Sequence, residues 1–250
     1  MKIDERDSTA EQFGVSHAQV ERDHLISHLL AAIASAVGDR VMFIGGTALA
    51  RTHLPKGRLS EDIDLVALDR RSEIAAEIDL VLPRAVARSH GRLSWDPPLS
   101  GIPDTASARL VGASRMSVKV QLLSARDRIT WPSETRAITQ RYADTPPATF
   151  TVPTLASFAG SKTSTWHDRG AARDLWDLWA LDRIGAIDAE AGELYRRFGP
   201  TNRLPSADLF RQGPSEAEWR SQLAGQTRLT ITAAEALVSV AAGWAAVGTD

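Results

Sequence analysis

Residues 41 to 68 carry a pattern that few folds accommodate. Val41-Met42-Phe43-Ile44 is a continuous apolar run stopped by Gly45-Gly46, the signature of a buried strand entering a tight turn. Thr47 to His53 then reads as a short helix ended near Pro55. From Ser60 to Leu68 the chain alternates, with Ile63, Leu65 and Ala67 on one side and Ser60, Asp62 and Asp64 on the other. Successive strand side chains point to opposite faces, so this is a half-buried strand with a carboxylate-bearing face.

The flanking segments suggest how that strand is housed. Val20 to Ala36 has apolar residues at helical spacing, and Ser72 to Arg88 also reads as a helix. Residues 91–131 are β-rich, with Arg115 to Leu123 the best strand and Trp131-Pro132 closing it. Pro146-Pro147 marks a boundary. Beyond it Thr154 can cap a helix running towards His167, Arg169-Gly170 breaks the chain, and a further helix begins near Arg173. The tail from Ser215 to Val247 is helical. This order predicts an α+β fold with two domains, 1–147 built on a mixed sheet flanked by helices and 148–250 all helical.

Two carboxylates two residues apart on a strand, about 6.6 Å along it, can share a magnesium ion, which takes oxygen ligands. A double-glycine turn opening a helix lets a phosphate approach backbone N–H groups without a Cβ in the way. Asp62 and Asp64 are therefore candidate metal ligands, and Gly45, Gly46 and Thr47 candidate phosphate-binding residues. Lys162 sits among Leu155, Ala156, Phe158 and Ala159, where an ammonium needs an anionic partner. Ser60 shares the predicted carboxylate face and joins the nucleotide-binding set. A phosphate or nucleotide attached there would place negative charge beside the two acids and obstruct metal binding.

Composition narrows the alternatives. Cysteine is absent, which excludes disulfides and thiolate metal sites. No apolar run approaches the roughly 20 residues that span a bilayer, and the charged start is not a secretory signal, so a cytoplasmic protein with no membrane partner is expected. The net charge of −2 does not announce a nucleic-acid partner, but its distribution is uneven. Glu61 to Asp79 holds seven acids against two arginines, and Thr105 to Arg141 seven basic residues against two acids. Gly160-Ser161-Lys162-Thr163 lacks the upstream glycine of a P-loop, and no Gly-x-Ser-x-Gly elbow occurs. His24 and His28, four apart with no HExxH motif, read as ordinary helix residues. Asp177 and Trp176 read as a helix-surface acid and a core aromatic.

FIGGTALARTHLPKGRLSEDIDLVAL (Phe43 to Leu68) resembles the signature of the AbiEii/MenT-type toxins, within the DNA polymerase β-like nucleotidyltransferase superfamily. VERDHLISHLLAAI from Val20 is similar to that family's N-terminal helix. Phe150 to Leu181 resembles its second signature, a helix bearing a lysine followed by Arg-Gly-x-x-Arg-Asp, and GPSEAEWRSQL also fits. The resemblance implies a nucleotidyltransferase-type sheet with Asp62 and Asp64 on Mg2+ or Mn2+, and Gly46 and Thr47 positioning the phosphates of an NTP substrate. It further implies that Lys162 neutralises the triphosphate while Arg173 and Asp174, from the helical half, complete the catalytic set. A salt link of Asp174 to Arg169 or Arg173 is the competing reading.

Such enzymes usually carry a third carboxylate on a neighbouring strand, and here VKVQLL puts Gln121 in that place. The implied function is the toxin of a toxin–antitoxin pair, a monomer with a cognate antitoxin, adding nucleotides to an RNA acceptor, the tRNA 3′ end, and so blocking translation. The arginine-rich stretch from Arg109 to Arg141 is compatible with a phosphate backbone. Transfer to a protein or small molecule, or NTP-binding regulation without turnover, are the alternatives.

Overall fold

The computed structural model describes residues 1–112, 116–126 and 130–248. The chain divides into two compact units, Met1–Arg128 with Glu134–Val152, and Ile129–Ser133 with Pro153–Asp250. Pro146-Pro147 thus falls inside the first unit, and the short segment around Trp131 belongs to the second.

The first unit is built on a seven-stranded sheet. Its strands are β1 (Val41–Ile44), β2 (Asp62–Ala67), β3 (Leu93–Trp95), β4 (Ala108–Gly112), β5 (Ser117–Ser124), β6 (Ser133–Ala137) and β7 (Thr149–Pro153), in the order β3-β4-β5-β2-β1-β7-β6. β2 runs antiparallel to β1 and parallel to β5, so the sheet is mixed, as expected. Of the strand read as Arg115 to Leu123, Arg115 lies outside the described residues.

Among the described residues, five α-helices accompany this sheet: α1 (Ile3–Phe13), α2 (His17–Val37), α3 (Gly45–Thr52), α4 (Arg71–Ala85) and the single turn α5 (Ala87–His90). The long helix α2 begins at Ser16, whose side chain accepts from the Gln19 amide, and packs on α4. Its Leu25, Ile26, Leu29, Leu30 and Ile33 are all buried, and truncating any one to alanine costs about 2–5 kcal/mol. The strand β2 alternates as expected, with Ile63, Leu65 and Ala67 buried and the intervening side chains partly exposed.

A fully buried ion pair ties three segments of this unit together. The Arg51 guanidinium of α3 donates to Asp23 Oδ1 of α2 at 2.8 Å, and the Tyr142 hydroxyl donates to Asp23 Oδ2 at 2.9 Å. Arg51 also donates to the Thr139 carbonyl, and Arg141 to the Ala50 carbonyl. Burial pulls the Arg51 pKa down to about 10 against the opposing pull of Asp23, which leaves it charged at neutral pH. Arg141, counted with the phosphate-gripping stretch, is instead a support for the end of α3.

The second unit is helical: α6 (Leu155–Arg169), α7 (Ala172–Arg183), α8 (Ala189–Phe198), α9 (Glu216–Leu223) and α10 (Ala233–Val247). Thr154 caps α6 as expected, accepting from the Ser157 amide, and Gly170 ends it in the left-handed region at φ 57°. The helix α7 packs on α6, α9 and α10. Among the described residues, no helix is long and apolar enough to cross a membrane.

Candidate active site

Asp62 and Asp64 open β2 on its partly exposed face, while Ile63 and Leu65 anchor the opposite face in the core. The register fixes their neighbours. Asp62 pairs with Lys119 and Asp64 with Gln121 on β5, and Arg109 on β4 faces Lys119 in turn. Paired residues share a face of a sheet. The carboxylates therefore share their surface with the exposed Lys119 and Arg109, so the basic and acidic stretches of the sequence meet there.

The glycine turn is pressed against the same spot. Gly45 is the first residue of α3 and has φ +79°, a conformation L side chains rarely adopt. A Cβ built on it would fall 2.4 Å from Asp64 Oδ2. Glycine is thus required twice at this position, once by backbone geometry and once by the approach of the carboxylate. The N-cap of α3 is Ile44, which supplies no side-chain cap, so the first-turn N–H groups have no side-chain acceptor there.

Thr47, on that first turn, is buried, and its hydroxyl donates to the Asp62 carbonyl. The contact pins α3 to the start of β2 and makes Thr47 a positioning residue for Asp62. Arg22 of α2 holds the neighbouring Glu61 at 2.8 Å. Ser60 is half-buried in the segment leading into β2, outside the strand itself.

Gln121 stands beside Asp64, in the place the sequence suggested for a third acid. Its Nε2 donates to the Asp104 carbonyl at 3.3 Å, which leaves the amide oxygen as the end available to a cation. Two carboxylates with an amide oxygen form an all-oxygen donor set, which suits a hard cation such as Mg2+.

Lys162, Arg173 and Asp174 belong to the helical unit. Lys162 is buried, and its ammonium lies 2.6 Å from Asp177 Oδ2 and 3.4 Å from Asp174 Oδ1. Arg169 donates to both oxygens of Asp174, from Nε at 2.6 Å and from a terminal nitrogen at 3.0 Å. The anionic partner that sequence reasoning required for Lys162 is therefore two carboxylates. Asp177 is a correction: it is fully buried in this cluster and not a helix-surface acid, because it lies on the same face of α7 as Asp174 one turn earlier. Trp176 is a core aromatic, and Arg173 is half-buried in the first turn of α7.

Sequence reasoning missed Asp177, Lys119 and the buried Arg51. The i, i+3 spacing of Asp174 and Asp177 opposite a lone lysine was the available signal for the first. The strand register was needed for the second.

Comparison with known proteins bears on the chain as a whole. Residues 28–240 match the model of the family described as the nucleotidyl transferase AbiEii toxin of type IV toxin–antitoxin systems. No curated protein matches the sequence. The fold is similar to that of MenT4, a nucleotidyltransferase toxin of Mycobacterium tuberculosis H37Rv, with 21% identity, a TM-score of 0.68, and coverage of 97% of this chain and 89% of that one. It is also similar to a candidate nucleotidyltransferase from H. pylori, with 13% identity, a TM-score of 0.57, and coverage of 94% and 96%. The family match spans β2, α3, α6 and α7, the elements that carry the carboxylate face, the glycine turn and the buried lysine cluster. The chain belongs to the AbiEii nucleotidyltransferase toxin family and is an NTP-dependent nucleotidyltransferase.

Proposed function

We propose that this enzyme transfers nucleotides from an NTP to the 3′ end of tRNA and thereby blocks translation. Asp62 and Asp64 hold the divalent metal, and the start of α3 receives the phosphates. The observation that carries this reading is the placement of both carboxylates, the Gly45 turn, Lys119 and Arg109 around one patch of sheet. In the transfer an acceptor hydroxyl oxygen bonds to the α-phosphorus of the NTP as pyrophosphate leaves. A bound Mg2+ supplies charge neutralisation at the reacting phosphate. Lys119 and Arg109 give the same patch affinity for a phosphate backbone, which favours RNA over an uncharged small molecule as acceptor. Within the helical unit, Asp174 and Asp177 hold the Lys162 ammonium in one position. An antitoxin partner follows from the family.

The test is incubation of the protein with total tRNA, Mg2+ and each labelled NTP in turn. Label is expected in tRNA, sensitive to 3′-end trimming and lost with Asp62→Ala. Label confined to protein, or tRNA label that Asp62→Ala leaves in place, refutes the proposal.

A further inference from the structure

Away from the carboxylate face, the sheet-bearing unit gathers three imidazoles and one carboxylate. His24 and His28 sit one turn apart on α2, and the fold brings to them His90, the last residue of α5, and Asp144, in the segment between β6 and β7. His24 Nε2 stands 3.0 Å from Asp144 Oδ1 and 3.2 Å from His28 Nε2. The third side of the triangle, His28 Nε2 to Asp144 Oδ1, measures 3.8 Å.

We propose that His24, His28 and Asp144 form a zinc site distinct from the Asp62–Asp64 pair. The argument is geometric. Zinc bonds imidazole nitrogen and carboxylate oxygen at about 2.0–2.2 Å in a tetrahedron, so its ligand atoms lie about 3.3 Å from one another. The three observed separations bracket that value, so an ion fits with small shifts of side chains. Two histidines at i and i+4 on a helix present their rings on one side, as a shared ligand requires. Imidazole nitrogens with one carboxylate oxygen select zinc over Mg2+, which prefers all-oxygen donors.

The surroundings complete the site. His24 Nδ1 lies 3.0 Å from His90 Nε2, and His90 Nδ1 lies 2.8 Å from Ser89 Oγ. With the His24 Nδ1 proton donated to His90 and the His90 Nδ1 proton to Ser89, the bare Nε2 lone pair of His24 faces the metal position. Metal-bound histidines are commonly oriented by such a partner. A cavity of about 380 Å³, lined by Glu21, His24, Ser89 and His90 among others, opens beside His24.

Such an ion would fasten α2 to the segment carrying Asp144. That is the joint already closed by Asp23, Arg51 and Tyr142, and Tyr142 stacks edge-on against His24.

The test uses the full chain carrying Asp62→Asn and Asp64→Asn, so that no metal signal arises from the sheet face. Titration with Co2+ is expected to give the visible d–d bands of a four-coordinate ion at one cobalt per chain, displaced by Zn2+. Asp144→Asn, at a side chain 42% exposed, abolishes the bands while the far-ultraviolet dichroism is unchanged. His28→Ala does the same, and His90→Ala weakens cobalt binding by about 10–100-fold. Absence of tetrahedral bands, or bands that survive both Asp144→Asn and His28→Ala, overturns the site.

Discussion

The two pairs of acids in the family's signatures are treated in opposite ways by the fold. Asp62 and Asp64 lie i, i+2 on a strand, so both face outward from the sheet and stay partly exposed. Asp174 and Asp177 lie i, i+3 on a helix, so both face inward, fully buried against Lys162 and Arg169. Among the described residues the Asp62 carboxylate makes no ion pair, whereas Asp174 has two cationic partners. A carboxylate that must capture a cation from solution has to keep water access and unspent charge. One that must organise a buried lysine has to spend its charge inside the protein. Under the proposed function, the same residue type recruits a metal in one unit and orders a buried lysine in the other.

The sharpest way to break this contrast is to neutralise each pair and read activity beside stability. Asp62→Asn and Asp64→Asn are expected to lower nucleotide incorporation by at least about 10²–10³-fold, the scale for losing one preorganised electrostatic contact. Their melting midpoints should move little, because partly exposed positions contribute within about 0.5 kcal/mol. A fall in stability equal to the fall in activity would show that these acids, too, hold the fold together.

Asp177→Asn is expected to do the reverse. It leaves Lys162 without its 2.6 Å partner, and breaking a buried pair costs about 3–5 kcal/mol. Urea denaturation measures that loss directly. The double replacement Lys162→Met with Asp177→Leu should recover most of the stability and none of the transfer activity. Recovery of both would reduce Lys162 to packing.

How far each region could be read from sequence follows from the range of its determinants. The carboxylate face was legible because strand alternation is local: Ile63 and Leu65 buried, Asp62 and Asp64 outward. The Thr154 cap and the Gly170 stop were legible for the same reason. Lys119 joined the face only through a register with β2, 57 residues earlier in the chain. Asp177 looked like a surface acid because nothing local distinguishes the outer side of α7 from the side that meets α6. His24 and His28 looked ordinary because His90 and Asp144 come from 66 and 120 residues away. Arg51 was hidden likewise, a charge that only a tertiary partner makes tolerable in the core.

Gly45→Ala probes how tightly the glycine turn and Asp64 are coupled. A non-glycine residue in the left-handed region costs about 1–2 kcal/mol. The added Cβ would also have to displace Asp64 Oδ2, now 2.4 Å from its position. The expected result is a modest loss of stability with a larger rise in the Mg2+ concentration needed for half-maximal transfer. Equal effects on both would mean that the turn matters only as backbone.

The smallest expected effect tests the neutral third position. Gln121 lies beside Asp64, and Gln121→Glu adds a carboxylate there without changing the strand. Opposite charge close to a partly exposed site is worth on the order of 1 kcal/mol, so the Mg2+ requirement should fall by about fivefold. Because Lys119 and Arg109 share the face, part of the new charge will be spent on them, which keeps the gain small. Gln121→Ala removes the amide oxygen and should raise the requirement by a similar factor. If Gln121→Ala leaves the Mg2+ dependence unchanged while Gln121→Glu lowers it, the amide is no ligand and the site runs on the two aspartates alone. If neither variant moves it, the metal is held away from β5, and the register argument for a shared three-residue face fails.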